Sequence, residues 1–446
     1  MLWPHQVKTL EFLRQSSIVF DCSDPGTGKT RAHLAAAVER DGRALVVCPK
    51  TLMRSAWGAE LGANFPGATY AVAEAGQRGP AFASGAKFVI INTDGVKEIA
   101  KTPALLKGFR TLIVDESSAF KHPTAQRTKA LMKLAPLFTY RALLSGTPHS
   151  NSVTELWAQM YALDKGARLG PSFFVFRNAV QTSEQVGPAA AHVRWRDKPQ
   201  AEAVVYSLLK DVMIRHAFED VMSHVPPNHR SKYVYTPNAV VRKRYETLAQ
   251  ECILALSSGE VTAVHAAALR NKLLQVLSGA VYTSGDQYAL LDTQRYELVE
   301  ELVDQYKHSL VFFNWRHQKD VLCDRFDARG VAFAVIDGST PERDRGEIVQ
   351  AYQGGKYKTL LLHPRTGAHG LTLTRGEAAI IVSPFYEADL LKQAIHRIYR
   401  GTQDKVTNTV LVEAENTVEQ LVYARLNDKT ERMDDFLEMV EEAFKS

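Results

Sequence analysis

Two separated blocks of the sequence alternate short apolar runs with helical patterns, and this alternation limits the fold more than any other feature. Each run is nearly continuous in Ile, Val, Leu or Phe, as expected for strands buried on both faces of a sheet. We therefore predict an α/β fold with two parallel sheets. The predicted strands are Ser17–Cys22, Ala44–Cys48, Phe88–Asn92, Thr111–Asp115 and Arg141–Ser145, then Leu310–Trp315, Ala332–Ile336, Thr359–His363, Ala379–Ser383 and Thr409–Val412.

The segment between the blocks, from about Val153 to Arg295, has mainly helical periodicity. We interpret it as helical insertions and a connection between the two α/β domains. The predicted division is residues 1–160, 161–295 and 296–446. Within the last of these, the acidic segment Asp434–Glu442 is interpreted as the solvated face of a helix.

Composition narrows the class of protein. The 446 residues are 45% hydrophobic and 23% charged, and no apolar stretch reaches the roughly 18 residues of a membrane-spanning helix. No signal region opens the chain, so we expect a cytoplasmic protein without a membrane partner, with the nucleus as an alternative. The four cysteines lack metal-binding spacing, which predicts neither a zinc site nor a disulfide framework. A net charge of +5 permits nucleic-acid binding without arguing for it.

A glycine-rich loop follows the first predicted strand and precedes a predicted helix, which is the context of a phosphate-binding loop. Its backbone N–H groups and the helix N-terminus favour phosphate, Lys29 would reach the β- and γ-phosphates, and Thr30 would hold Mg²⁺. A glycine-rich turn without a ligand is the alternative. The strict motif has glycine where this chain has Ser23. The predicted ATP-binding loop comprises Asp24, Pro25, Gly26, Thr27, Gly28, Lys29 and Thr30.

Asp115 and Glu116 follow another predicted strand, and carboxylates at such a strand end lie beside the phosphate loop of a parallel sheet. We predict that Asp115 binds Mg²⁺ through water and that Glu116 orients and deprotonates the attacking water. A solvated loop is the usual explanation of such a pair. Its combination with the phosphate loop favours catalysis.

Gln393, Arg397 and Arg400 are spaced i, i+4 and i+7 within a predicted helix, Leu390–Tyr399, and would share one face. Arginine offers a planar and permanently charged fork that suits phosphate. A basic surface stripe is the alternative. Their place in the second α/β block predicts arginine fingers that act on ATP.

Small polar residues end several predicted strands, and together they form a row of donors suited to a phosphate backbone. Each taken alone is more simply a turn. The candidate nucleic-acid contacts are Lys50, Thr51, Thr93, Ser339, Thr340, Arg365 and Thr366.

These segments together resemble helicase superfamily two, and within it the Swi/Snf-type DNA translocases, over nearly the whole chain. The opening Leu2–Gln6 is similar to a family segment whose glutamine reads adenine, which nominates Gln6 as an ATP-binding residue. The other matching segments are Asp24–Thr30, Leu45–Leu52 with Trp57 and Glu60, Asp115–Ser118 with Lys121, Leu144–Pro148 with Asn151 and Glu155–Trp157, Ile214–His216 with Asp220–Val221 and Val225–Pro227, Val335–Thr340 with Arg343 and Arg345, Gly367–Thr374, and Gln393–Gln403.

The resemblance implies two RecA-like lobes, with ATP and Mg²⁺ held by the first and the site completed by Arg397 and Arg400 of the second. It assigns Gln393 to ATP and adds Thr372 to the nucleic-acid contacts. It also implies a monomeric ATPase that moves along duplex DNA as the cleft between the lobes closes and opens. Because motor motifs occupy most of the chain, we expect a minimal bacterial or viral motor in DNA repair, replication or recombination rather than a nucleosome remodeller.

Two departures from the family pattern stand out. Ser118 replaces the histidine of the usual acidic box, and the family's Pro-x-Trp-Asn turn is here Pro384-Phe385-Tyr386-Glu387. A strand-separating DNA or RNA helicase is the first alternative function. A nucleotide-dependent switch without motor activity is the second, and the intact set of Glu116, Arg397 and Arg400 argues against it.

Overall fold

The structure is a computed structural model that describes residues 2–427 except 151, 186–192, 258–262, 284–286, 368–370 and 386. The chain divides into two compact units, Met1–His224 and Val225–Ser446. The features from the sequence that lie outside the described residues are Asn151, residues 368–370 of the Gly367–Thr374 segment, Tyr386 and the acidic segment Asp434–Glu442.

The first unit is built on a seven-stranded sheet in which every pairing is parallel. Its strands are β1 (Ile18–Asp21), β2 (Arg43–Cys48), β3 (Tyr70–Ala73), β4 (Phe88–Asn92), β5 (Phe109–Val114), β6 (Tyr140–Leu144) and β9 (Met213–Ile214). Their order is β3-β4-β2-β5-β6-β1-β9. An antiparallel hairpin, β7 (Gln181–Gln185) with β8 (Val193–Asp197), stands apart from this sheet.

Apolar cores cover both faces of the first sheet. Along β2, Leu45 and Val47 belong to one core, whereas Val46 and Cys48 belong to the other. This burial on two sides explains why the central strands appear in the sequence as continuous apolar runs. The helices of this unit are α1 (Pro4–Gln15), α2 (Lys29–Glu39), α3 (Ala59–Asn64), α4 (Arg78–Ala83), α5 (Gly95–Ile99), α6 (Gln126–Leu134), α7 (Leu156–Asp164), α8 (Phe173–Val180), α9 (Ala201–Leu209) and α10 (Phe218–Val221), with a π-helical turn over Met53–Gly58 and 3₁₀ turns at Pro103–Leu106, Ser117–Phe120, Ala135–Leu137 and Val153–Glu155.

The second unit contains a six-stranded sheet, again with parallel pairings throughout. Its strands are β10 (Asn228–Tyr235), β13 (Ser309–Phe312), β14 (Phe333–Ile336), β15 (Thr359–Leu362), β16 (Ala378–Ile381) and β17 (Thr407–Ala414). Their order is β10-β17-β16-β13-β15-β14. A short antiparallel hairpin joins β11 (Ala280–Tyr282) to β12 (Tyr288–Leu290).

The second sheet also has apolar cores on both faces. None of the described helices in either unit is long and apolar enough to span a membrane. The helices of this unit are α11 (Ala239–Ser257), α12 (Ala263–Leu277), α13 (Gln294–Asp304), α14 (Arg316–Ala328), α15 (Glu342–Gln353), α16 (Pro364–Gly367), α17 (Ala388–Ile395) and α18 (Val418–Asn427).

The predicted fold class, an α/β chain with two parallel sheets, is confirmed, and each strand predicted from an apolar run is present. The sequence missed strands at the sheet edges. β3 and β10 are edge strands with partly exposed side chains. β10 contains polar and charged residues, and β3 is an apolar run of only four residues with a single buried side chain. The segment interpreted as helical insertions also contains the hairpins β7–β8 and β11–β12, so helices are only part of it.

The boundary between the units differs from the predicted division. The predicted middle part, residues 161–295, forms no third unit, because the chain divides between His224 and Val225. Its first half adds β9 to the sheet of the first unit, and its second half supplies β10 to the sheet of the second. Because β9 pairs with the first sheet and β10 pairs with the second, each half of this segment belongs to the unit whose sheet it extends.

Candidate active site

The loop between β1 and α2 has the backbone shape of a phosphate cradle. Gly26 and Gly28 have φ angles of 84° and 76°, in the left-handed region that side chains disfavour. A Cβ atom on Gly28 would lie 2.2 Å from Nε2 of Gln6, so this position also has no room for a side chain. Helix α2 begins at Lys29, and its first backbone N–H groups have no partner within the helix. Both features suit the binding of an anion.

Lys29 lies folded against this loop. Its Nζ donates to the backbone carbonyls of Ser23 at 2.6 Å and Asp24 at 3.1 Å. Lys29 follows β1 and Asp115 follows β5, and both strands run parallel to β6, which lies between them. The fold thus brings Lys29 and Asp115 to the same end of the first sheet, as the sequence predicts.

The other predicted loop residues are held mainly by backbone contacts. The hydroxyl of Thr27 donates to the Asp24 carbonyl at 2.8 Å, and the Asp24 carboxylate accepts from the Phe218 backbone N–H at 3.1 Å. Pro25 lies in the turn before Gly26, and Thr30 is the second residue of α2. The loop is therefore shaped before any ligand binds.

Ser23 occupies the position where the strict motif has glycine, and its surroundings explain why a side chain is tolerated. Ser23 is not among the described residues with positive φ, so glycine is not required there. Its hydroxyl accepts from the backbone N–H of His216 at 3.1 Å, and the His216 carbonyl accepts from the Asp24 N–H at 3.0 Å. His216, the last residue of the matching segment Ile214–His216, therefore supports the loop through its backbone just after β9.

Beneath the loop lies a buried hydrogen bond between a histidine and an aspartate. His33 Nε2 is 3.0 Å from Oδ2 of Asp21, and Asp21 Oδ1 accepts from the Ser23 N–H at 3.0 Å. Burial alone would raise the pKa of Asp21, but the interactions with His33, the nearby Lys29 charge and the Ser23 hydrogen bond together lower it to about 2. Asp21 is therefore ionised at neutral pH and fixes the start of the loop.

Gln6 is placed over the loop by the first turn of α1. Its Oε1 accepts from the Trp3 N–H at 2.8 Å, and its Nε2 donates to the Gly28 carbonyl at 3.0 Å. His5 Nε2 lies 2.7 Å from the Thr27 carbonyl. The predicted adenine-reading residue is thus tied to the phosphate loop, although the sequence separates the two.

Asp115 and Glu116 follow β5, two strands away from β1 in the sheet. Asp115 Oδ2 accepts from Nε1 of Trp57 at 2.8 Å, and Oδ1 accepts from the Glu116 N–H at 3.0 Å. Burial and the neighbouring Glu116 charge raise the pKa of Asp115 to about 6. Glu116 has a φ of 50°, an unusual value for a residue with a side chain and one found preferentially at functional sites.

The segment Asp115–Ser118, which contains the Asp-Glu pair, is also hydrogen-bonded through a side chain to the loop after β6. Ser117 Oγ donates to Oε1 of Gln159 at 2.7 Å, and Gln159 Nε2 donates to the Pro148 carbonyl at 2.7 Å. Gln159 is fully buried on α7. This side chain, which the sequence did not single out, connects Asp115–Ser118 to Ser145–Pro148 inside the first unit. Ser118 lies in the 3₁₀ turn that follows the Asp-Glu pair.

The predicted magnesium ligands suit that ion. Among the described residues, no group of three or more His, Cys, Asp or Glu side chains could hold a metal by itself. Mg²⁺ prefers oxygen ligands and in such sites is held by one or two protein groups together with nucleotide phosphates. The hydroxyl of Thr30 and the carboxylate of Asp115 fit this pattern.

The nucleic-acid candidates of the first unit lie close together at the carboxyl-terminal end of the sheet. β2 and β4 are neighbours, and the Thr93 N–H donates to the Cys48 carbonyl at 3.1 Å. Thr93 therefore lies beside the segment that carries Lys50 and Thr51. Lys50 is exposed, whereas Thr51 Oγ1 is buried and has no hydrogen-bond partner among the described residues.

In the second unit, two of the candidate segments are adjacent. Ser339 and Thr340 follow β14, Arg365 and Thr366 follow β15, and these two strands pair directly. Arg365 forms a salt bridge with Glu387, whereas Ser339 is exposed to solvent.

Thr372, the remaining nucleic-acid candidate, lies beside the arginines instead, because its hydroxyl accepts a hydrogen bond from Nη1 of Arg400 at 3.0 Å.

The predicted helical face of Gln393, Arg397 and Arg400 needs correction. Helix α17 ends at Ile395, and both arginines lie in the following turns. The turn tightens because backbone N–H groups switch to partners three residues back, as in Arg397 to Ala394.

Both arginines contact the backbone of that turn. Arg397 is 4% exposed and donates to the carbonyls of Gln393 and Leu371, each at 3.0 Å. Arg400 donates to the His396 carbonyl at 2.7 Å, and burial lowers its pKa to about 10, so it stays charged at neutral pH. Gln393 is buried, and its Oε1 has no partner among the described residues.

A parallel sheet with a phosphate loop after one strand and an Asp-Glu pair after another defines a P-loop nucleotide hydrolase. The chain belongs to the SNF2-related family, since the SNF2-related domain matches residues 6–279. The helicase conserved C-terminal domain matches residues 294–402. The protein is therefore a nucleic-acid-dependent ATPase of the Swi/Snf type in helicase superfamily two.

Similar proteins come from phage, plants and archaea. The chain is 27% identical over 344 residues to putative protein p41 of Acyrthosiphon pisum secondary endosymbiont phage 1, covering 74% of this chain and 72% of that protein. It is 23% identical to the ISWI chromatin-remodeling complex ATPase CHR11 of Arabidopsis thaliana, covering 77% of this chain and 33% of the plant protein. The SWI2/SNF2 ATPase core of Sulfolobus solfataricus in complex with dsDNA is 18% identical, with a TM-score of 0.46 and coverage of 99% of this chain and 95% of that chain. The chain thus spans about a third of the length of the plant relative.

Proposed function

We propose that this protein is an ATP-driven motor that moves along duplex DNA. The observation that carries the proposal is that Lys29 in the phosphate loop after β1 and Asp115 after β5 lie at the same end of the parallel first sheet. Membership of the SNF2-related family supports a DNA-dependent motor. Both ATP and Mg²⁺ fit the residues described above.

In this proposal the first unit binds the nucleotide. Lys29 exchanges its two backbone carbonyl acceptors for the β- and γ-phosphates, where an ammonium stabilises the charge of phosphoryl transfer. Thr30 and Asp115 hold Mg²⁺, which neutralises phosphate charge when bound. Gln6 contributes its amide to recognition of the base.

Glu116 is proposed to act on the attacking water. A carboxylate in this role orients the water and accepts its proton. The left-handed backbone at Glu116 turns the chain sharply after β5, and Ser117 is anchored by Gln159. Both features fix the backbone that carries this carboxylate. Arg397 and Arg400 are proposed to supply positive charge to the transferred phosphoryl group, and Gln393 to contact the nucleotide.

The nucleic-acid contacts are proposed to be mainly with phosphates. Lys50, Thr51 and Thr93 lie together at the carboxyl-terminal end of the first sheet, and Ser339, Thr340, Arg365 and Thr366 follow two paired strands. Short hydroxyl side chains and backbone N–H groups position a backbone without reading sequence. We further propose that the protein is a monomeric cytoplasmic enzyme that acts in DNA repair, replication or recombination.

Hydrolysis should be measured without nucleic acid and with single-stranded DNA, duplex DNA or RNA, each at two salt concentrations. We expect the largest stimulation from duplex DNA, with little sequence dependence and an affinity that falls steeply with salt. Movement is then tested by displacement of a third strand from a duplex track. Strand separation without third-strand displacement would favour a helicase, and hydrolysis indifferent to nucleic acid would favour a switch.

A further inference from the structure

Trp57 stands out because its indole binds the carboxylate nominated as a metal ligand. Trp57 is completely buried, and its Nε1 lies 2.8 Å from Oδ2 of Asp115. The other carboxylate oxygen accepts from the Glu116 N–H. With one donor on each oxygen, the plane of the carboxylate is fixed. An indole N–H only donates, so Trp57 cannot itself bind Mg²⁺ and can act only through Asp115.

The segment that carries Trp57 starts at the proposed nucleic-acid contacts. The π-helical turn Met53–Gly58 begins two residues after Thr51, and the Met53 N–H donates to the Lys50 carbonyl at 3.3 Å. Ser55 Oγ donates to the Thr51 carbonyl. Single π-helical turns are rare and occur frequently at functional sites. One short segment thus runs from an exposed lysine to the carboxylate of Asp115.

Thr51 supplies a second observation at the outer end of this segment. Its Oγ1 is buried without a hydrogen-bond partner among the described residues. A buried hydroxyl without a partner is costly, and a ligand oxygen would relieve that cost. A phosphate held by the exposed Lys50 could reach this hydroxyl only if the start of the π-helical turn moves, so its binding would shift that turn.

We propose that Trp57 is a positioning residue that orients Asp115 toward Mg²⁺ and transmits nucleic-acid binding at Lys50 and Thr51 to that carboxylate. The coupling rests on the proposed DNA-dependent motor, whereas the orienting role rests only on Asp115 as a ligand of Mg²⁺. Phosphate contact at Lys50 and Thr51 shifts the π-helical turn, and the indole carries the shift to Asp115. Nucleic acid thereby raises the affinity of the nucleotide site for Mg²⁺.

The test is Trp57→Phe, which keeps a buried ring and removes the N–H. Trp157→Phe is the matched control, because Trp157 is also buried in the first unit but donates to a backbone carbonyl, that of Gly170, at 3.0 Å. Three quantities are measured: binding of a fluorescent non-hydrolysable ATP analogue in EDTA, the Mg²⁺ midpoint for enhancement of that binding, and the ratio of hydrolysis with and without duplex DNA.

For Trp57→Phe we expect the Mg²⁺ midpoint to rise about 3- to 10-fold and the stimulation ratio to fall about 10-fold, while binding in EDTA stays within about 2-fold. Trp157→Phe should change neither quantity. If the two variants behave alike, Trp57 only packs and the proposal is overturned. A wild type without stimulation by any nucleic acid would refute the proposed function and the coupling, while the Mg²⁺ midpoint still decides the orienting role.

Nuclear magnetic resonance of wild-type protein provides a measurement that does not depend on the folding of Trp57→Phe. The chain has five tryptophans, so ¹⁵N-labelled indoles give few signals. We expect one indole signal to shift when Mg²⁺ is added to nucleotide-saturated protein and to shift again with duplex DNA, the second shift being lost in Lys50→Ala. The absence of any indole that responds to both additions would overturn the coupling.

Discussion

Gly146, in the loop after β6, packs against the ring of Pro25 in the phosphate loop. A Cβ atom built on Gly146 would lie 2.8 Å from both Cγ and Cδ of Pro25. The contact arises because β6 and β1 are neighbours in the first sheet, so that the loops after them meet. The segment Ser145–Pro148 therefore contributes to the shape of the phosphate cradle.

Gly146→Ala should displace Pro25 and weaken nucleotide binding. A contact below 3 Å forces the loop to move, and we expect the KM for ATP to rise about 3- to 10-fold, measured by steady-state hydrolysis. Gly62→Ala is the control, because a Cβ on Gly62 meets nothing within 4 Å. An unchanged KM in Gly146→Ala would show that the proline ring adapts without cost.

Lys29→Ala should abolish most ATP hydrolysis while the protein remains folded. Removal of this ammonium takes charge stabilisation from phosphoryl transfer, and we expect kcat to fall by at least about 100-fold. Its hydrogen bonds are to two backbone carbonyls only, so the Tm should change by a few degrees at most. Lys107→Ala, an exposed lysine after a 3₁₀ turn, is the control. Wild-type turnover by a pure Lys29→Ala preparation would rule out the assigned site.

Arg397→Ala and Arg400→Ala should both lower kcat but differ in stability. Arg397 is buried against two backbone carbonyls, so its loss should also lower the free energy of unfolding by roughly 2–4 kcal/mol. Arg400→Ala should reduce kcat about 10³-fold at saturating ATP and DNA, with nucleotide affinity within a few-fold. Arg400→Lys should rescue little, because an ammonium lacks the planar fork. Full turnover in Arg400→Ala at saturating DNA would assign that arginine to DNA binding.

Asp115→Asn should stabilise the nucleotide-free protein at neutral pH but not in acid. Because the folded protein raises the pKa of Asp115 to about 6, its stabilising contribution exists below the unfolded pKa and is lost as the pH rises through about 6. The variant lacks this loss. Its free energy of unfolding relative to wild type should therefore increase by about 1–3 kcal/mol between pH 4 and pH 7.5.

Denaturant titrations of metal-free protein at several pH values measure this difference. The exposed Asp41→Asn serves as the control, and its offset from wild type should not follow the same pH course. A pH-independent offset for Asp115→Asn would mean that the carboxylate is ionised throughout this range.

Local patterns were sufficient to predict the elements that hold the nucleotide. β2, β4 and β5 are buried on both faces, which requires continuous apolar runs that are visible in the sequence. The phosphate loop is equally local, because Gly26, Gly28 and Lys29 act within one turn between β1 and α2. The edge strand β3 was missed because its apolar run is only four residues long and consists mainly of small or partly exposed side chains.

The point at which α17 ends and the hydrogen bonds that its neighbouring side chains form depended on tertiary packing. The spacing of Gln393, Arg397 and Arg400 predicted one helical face, but α17 ends at Ile395. The guanidinium of Arg397 binds the carbonyls of Gln393 and Leu371, and this pairing stabilises a turn that periodicity does not reveal.

The sequence by itself determined the two parallel sheets and the residues of the nucleotide loop, because continuous apolar runs and glycine spacing are local consequences of burial and backbone geometry. Tertiary structure alone decided which distant groups support that loop. Trp57 meets Asp115 because β2 pairs with β5, and His216 meets Ser23 because β9 adds to β1. Such contacts follow from strand order, which hydrogen bonding between distant segments sets and no local pattern encodes.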